Sequence, residues 1–278
     1  MSIVTLRHSE RLRLIQALTG NSTDKYLSDQ NVRKFATNRK AELMGKIGNT
    51  GVPWEKLYND AIQTFTPISI AGNKLWLKAD GLSLNDSDAV GSWTDFSGGS
   101  NHAIQGTALN KPTFKTNQVN GLPAILFDDS NDFLDTPSIT MSDMTVCIVL
   151  KPTGSSDYSI SFSGSGSENG IISNFSANTL EIYNTPRISA GSTSSSTFSL
   201  HTITRSATLG TVTYKNGTQV ATDPTANTTN TGAVRIGDNY VNANPYGGYI
   251  AEIVLYNSSL STSDRQLIES YLKTKYGL

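Results

Sequence analysis

Cleaving a polysaccharide takes two carboxylates that face each other across a glycosidic bond, about 5–5.5 Å apart when configuration is retained. On a β-strand, residues i and i+2 share a face, so one way to build such a site is a glutamate followed two positions later by another acid. The seven glutamates are Glu10, Glu42, Glu55, Glu168, Glu181, Glu252 and Glu269, and none is followed at that spacing by Asp or Glu. No G-x-S-x-G or H-E-x-x-H occurs, and the Gly-rich stretch 164–170 has the wrong spacing for a dinucleotide loop. Three dispersed histidines and one cysteine give a catalytic zinc little support. Cys147 lies in the apolar run Met144–Leu150 and reads as a buried, inert thiol. His201, Arg205 and Tyr214 could be arranged as a lyase site, but they read more simply as strand side chains. The expectation is a protein that is not an enzyme.

Binding asks for less. Sugars are held by aromatic rings against their C–H faces, with amides and carboxylates fixing the hydroxyls. The richest loop of that kind is Asp238–Gly248, which offers Tyr240, Asn242, Asn244 and Tyr246; the second is the tip around Trp93 and His102. The first reads more simply as a polar connector whose tyrosines cover the sandwich edge, and the second as a stiff turn beneath Trp93. In FDDSNDFL, oxygens crowd one short turn, and Asp129, Asn131 and Asp132 are candidate ligands for calcium, which needs ~6–8 of them. The D-x-D-x-D-G spacing is absent, so an ordinary turn with solvated acids is the competing reading. In WTDFSGGSN, Asp95 is placed to accept backbone N–H bonds while Gly98 and Gly99 take positive φ. Glu252 is the lone acid of IAEIVLY, either buried and paired or turned to solvent.

The elements that must position these residues fall into two regions. Residues 1–65 hold ten Lys/Arg and six Asp/Glu, a net of +4, whereas the remainder nets −5 within a chain of 278 residues and charge −1. The step falls near Pro67, and the expected organisation is a helical segment over 1–66, a linker over 67–72 and a β domain over 73–278. Three short helices are expected in the first segment. They bury little apolar surface alone, so they should dock on a partner, as an anchor or oligomerisation element. Six interspersed acids make the basic excess an ordinary surface rather than a nucleic-acid site. No run approaches the ~18 apolar residues of a membrane span, and the charged N-terminus does not read as a secretory signal.

From residue 73 the pattern changes to strand-length apolar runs: KLWLKA (74–79), PAILFD (123–128) and TVCIVL (145–150). Further strands are expected at 170–174, 180–184, 200–205, 212–215, 234–237 and 249–256. Asn216-Gly217 marks a hairpin. Between 153 and 232, 32 of 80 residues are Ser or Thr, which keep an antiparallel sheet's outer face wet. The fold class expected is mainly β: a two-sheet antiparallel jelly-roll sandwich, preceded by the small all-α segment. It closes with a helix capped by Ser261 or Ser263, its stripe Leu267, Ile268, Tyr271 and Leu272, ended by Gly277.

LWLKAD (75–80), SWTDFSGGSNHAIQ (92–105), KPTF (111–114), NGLPAILFDDSNDFL (120–134) and GGYIAEIVLYNSSLSTSDRQLIESYLKTKYG (247–277) carry a family resemblance. In that order they resemble a concanavalin A-like, laminin-G-like jelly-roll domain. The resemblance implies two curved sheets face to face, and it admits a calcium ion. It does not fix the ligand, because lectins, adhesion domains, glucanases and lyases share the fold. Such modules usually act outside cells, while this sequence shows no export signal. The reading that joins the two is a phage virion structural protein of the decoration or fibre type, made in the host cytoplasm and displayed on the particle surface. Residues 1–65 would contact other virion proteins in a homo-oligomer, and the jelly roll would touch glycans. A free carbohydrate-binding lectin is the alternative, and a polysaccharide lyase or hydrolase the third.

Overall fold

A computed structural model describes residues 65–141, 143–154, 157–163, 170–174, 179–183, 188–225, 232–240 and 244–278; side chains of 157, 170–174 and 179–183 are not described. The expected helices of the first segment lie outside these residues. The chain divides after Ser69 into two compact units, of which Ile70–Leu278 is the second.

The strands of this second unit are, in order, β1 (Asn73–Lys78), β2 (Ser92–Trp93), β3 (Ala103–Ile104), β4 (Thr113–Val119), β5 (Leu122–Asp128), β6 (Leu134–Ile139), β7 (Met144–Pro152) and β8 (Asp157–Phe162). They continue as β9 (Gly170–Asn174), β10 (Thr179–Tyr183), β11 (Ile188–Ser192), β12 (Ser199–Ser206), β13 (Gly210–Lys215), β14 (Thr218–Asp223), β15 (Gly232–Ile236) and β16 (Gly247–Tyr256). One helix, α1 (Thr262–Tyr276), closes the chain. The strands form two antiparallel sheets of eight. Sheet A runs β14-β13-β12-β7-β16-β5-β4, with β1 also on β16; sheet B runs β11-β10-β9-β8-β15-β6-β3-β2. This is the jelly-roll sandwich that the strand-length runs predict.

The long strand β16 organises sheet A. Along one edge it pairs with β7, and along the other it pairs first with β5 (Gly247–Ile250) and then with β1 (Glu252–Tyr256). Alternation then decides what each side chain meets. Val146, Ile148 and Leu150 of β7 and Ile250, Ile253 and Leu255 of β16 face the core, where they join Leu75, Leu77, Trp93, Phe127, Leu134, Ile160 and Ile236. Much of the opposite face of β7 and β16 is covered as well, with Cys147, Val149, Ala251 and Val254 fully buried. A strand buried on both faces requires a second layer outside the sheet, and α1 supplies it by packing on β12 and β7.

The helix follows its sequence signals. Ser261 caps it by accepting from Asp264 N, and Gly277, at φ 68°, ends it. Leu267, Ile268 and Leu272 are buried as the periodicity predicts, and so are Arg265, Glu269 and Tyr276; Tyr271 is only half-buried. Two I′-like turns set register in sheet A. Asn216-Gly217, with φ 47° and 84°, joins β13 to β14 as expected, and Asn120-Gly121, with φ 48° and 76°, joins β4 to β5.

Candidate functional site

The Trp93 tip is a structural device. The Asp95 carboxylate accepts from Trp76 N at 2.9 Å, Ser97 N at 2.8 Å, Ser97 Oγ at 2.7 Å and Asn101 N at 2.9 Å. His102 Nδ1 accepts from Asp95 N at 3.0 Å, which spends that ring nitrogen on the turn. Gly98 takes φ 86° as expected, but the second left-handed residue is Ser100 at 55°, not Gly99. A side chain at Gly99 would instead meet the Asn101 amide at 2.7 Å. Trp93 itself is fully buried in the core, so its ring has no face to offer a sugar.

The loop after β15 folds back over the outer face of sheet B. Asp238, buried, accepts from Asn239 N at 2.6 Å and Asn244 N at 3.2 Å, while Ser161 Oγ donates to its carbonyl at 2.8 Å. Burial raises the Asp238 acid above its usual range. Tyr246 turns into the core, edge-on to Phe127 at 6.1 Å, and is fully buried. It is a packing residue rather than a stacking platform. Tyr240 lies over the Arg235 guanidinium at 4.8 Å, with Phe133 on Arg235 at 4.0 Å. Asp135 binds the same guanidinium through two bonds of 2.9 and 2.8 Å. Tyr240 thus belongs to a pillar of stacked groups built on the cross-strand pair Arg235–Asp135. Asn244 closes the loop base, its carbonyl accepting from Tyr158 N at 3.2 Å; Asn242 lies outside the described residues.

The Asp128–Asp132 turn spends its oxygens on its own backbone. Asp128 Oδ1 accepts from Ser130 N and Asn131 N at 3.0 and 3.2 Å, and Asp132 Oδ2 accepts from Asp128 N at 3.1 Å. Burial, with Asp128 beside it, raises the Asp132 acid to about 6. Asp129 and Asn131 point to solvent. Among the described residues no group of three His, Cys, Asp or Glu side chains that could hold a metal is found.

The residues with catalytic chemistry are also separated. His201 pairs with Ile148 across β12 and β7 and points into the sandwich, bonded to Ser199 Oγ and Ala190 O at 2.8 Å each. Burial lowers its pKa to about 4, so it is a neutral core histidine. Tyr214 pairs with Thr202, the next residue, and lies on the opposite face, capped by Arg265 at 3.7 Å. Glu252 sits on that outer face under α1, fully buried. It accepts from Trp76 Nε1 at 2.7 Å, Lys275 Nζ at 2.6 Å and Tyr276 O–H at 2.8 Å. This is the buried and paired alternative: a clamp that holds the helix down.

Among the described residues a further cluster lies at the surface of sheet A, and no motif along the chain points to it. In the register of sheet A, Leu126, Tyr249 and Lys151 stand in one row across β5, β16 and β7. Phe198, immediately before β12, extends the row. All four are half-buried. The Phe198 and Tyr249 rings lie 6.2 Å apart at 59°, and Lys151 Nζ rests over both, 5.1 and 4.4 Å from their centroids. Each residue sits in a different strand or loop, so only pairing register brings them together. A clue was readable: Tyr249 and Lys151 are the outward positions next to the inward Ile250 and Leu150.

Residues 128–264 match a family model described as the concanavalin A-like lectin/glucanases superfamily, in agreement with the jelly-roll sandwich formed by the two sheets. No curated protein is a significant match. Among solved structures, a Trypanosoma rangeli sialidase in complex with sialic acid is similar at TM-score 0.52 and 15% identity, over 74% of this chain and 33% of that one. The botulinum neurotoxin serotype D ligand binding domain in complex with N-acetylneuraminic acid is similar at 0.52 and 13%, over 72% and 50%. This chain therefore spans half or less of those proteins, and at such identities the likeness is one of fold.

Proposed function

We propose that this protein is a non-enzymatic adhesion protein whose jelly roll binds glycans on the outer face of sheet A. In this reading residues 1–66 fasten it into a larger assembly, such as the surface of a phage particle. The observation that carries the glycan part is the pair of half-buried rings, Phe198 and Tyr249, on a stretch of sheet flanking the ground under α1. Paired aromatic faces beside polar side chains are what pyranose recognition uses. The lectin-type fold supports the reading, as does the engagement of Glu252 and His201 in packing. The assembly part rests on the change of charge and composition near residue 67.

A glycan array probed with the full chain tests it. Binding is expected in the micromolar-to-millimolar range. Phe198→Ala and Tyr249→Ala should each weaken it about tenfold while leaving the melting temperature nearly unchanged. An array without signal would remove the glycan reading. Co-purification with virion proteins that disappears when residues 1–66 are deleted would support the anchoring part.

A further inference from the structure

We infer that the sugar taken by this face is anionic, read by Lys151. The inference rests on the glycan reading above and sharpens it. Lys151 Nζ is held over two ring faces, yet among the described residues its ammonium makes no ion pair and no hydrogen bond. The other cations set against aromatic rings in this domain are mostly neutralised. Arg235 has Asp135 at 2.8 Å, Arg265 has Glu269 at 2.5 Å, and Lys275 has Asp80 at 2.8 Å and Glu252 at 2.6 Å. Lys78, over Trp76 and Phe96 at 4.7 and 4.6 Å, also lacks an acid, but Trp76 is buried beneath it and leaves no comparable pair of open rings.

Ring faces attract an ammonium through their quadrupoles without accepting its N–H bonds as an oxygen would. Lys151 is thus positioned by Phe198 and Tyr249 and still has donors to give. A ligand that completes this site brings a negative oxygen for Nζ and an apolar C–H surface for the ring edges. A sugar ring carrying a carboxylate or a sulfate has both.

The test uses the full chain and direct binding measurements on matched pairs: lactose against sialyllactose, and a neutral disaccharide against its uronate and sulfated forms. The acidic member should bind about tenfold tighter at low salt, and the advantage should shrink in 0.5 M NaCl as screening predicts. Lys151→Met, which keeps the aliphatic stem on the rings, should bring the acidic ligand down to the affinity the same variant shows for the neutral one. Lys151→Arg should retain the preference. The carboxylate and sulfate arms separate the two sources of charge. Equal binding of neutral and acidic partners, or a preference that survives Lys151→Met, would overturn the anionic assignment while leaving the glycan reading intact. Binding of neither, by a chain shown folded by its melting transition, would overturn both.

Discussion

Single side chains in this domain are best judged by where their polar atoms go. Glu252 is enclosed with Lys275, Trp76 and Tyr276, and removing one member of a buried charged set costs far more than the pair contributes. Glu252→Gln should therefore lower the unfolding free energy by roughly 3 kcal/mol in urea titrations. His201 gives a pH signature. Its folded pKa of about 4 lies below the ordinary 6.5, so the unfolded chain takes up the proton first. The stability it contributes is complete above about pH 6.5 and is lost as pH falls through 4, amounting to ~3 kcal/mol. Asp132, raised to about 6, works in the opposite sense over the same window. The clean measurement is therefore the difference in urea midpoint between the native chain and His201→Gln at pH 7, 5 and 4; an equal fall in both would exclude the His201 contribution. Cys147, fully buried and with its thiol pushed up by burial, should react with a thiol reagent only beyond the unfolding transition.

At the level of elements, local chemistry was readable wherever it acts alone. The helix is the clearest case, because Ser261, Asp264 and Gly277 announce its ends within one segment. Ser261→Ala should cost about 1 kcal/mol through loss of the cap, measured by denaturation. The Asn216-Gly217 hairpin was equally readable, and Asn120-Gly121 carries the same signal between β4 and β5. What stayed hidden depends on register. Trp93 and Tyr246 resemble exposed ligand groups in a loop-like sequence, yet the two-residue strand β2 and the approach to β16 turn both rings into the core. Trp93→Ala should cost about 3–5 kcal/mol of stability, where a surface ligand residue would cost little. Conversely, Phe198, Lys151 and Tyr249 are ordinary residues along the chain. They form a group only because β12, β7 and β16 are neighbours.

For the molecule as a whole, the two-sheet sandwich was legible from composition and strand spacing, since many short antiparallel strands with a wet outer face have few other solutions. The ligand surface was not, because it belongs to the sheet rather than to any segment. The unit Ile70–Leu278 has its own core, and a fragment of these residues should unfold cooperatively in a single transition. The pairing of β1 with β16 has a mechanical meaning. The chain enters the domain at Asn73, opposite Tyr256, while Tyr249 lies toward the other end of β16. Tension between a tether at residue 72 and a ligand at Tyr249 would pull along the strand axis, loading the rungs from Asn73 to Lys78 together instead of peeling them one after another. A grip built this way yields late and all at once.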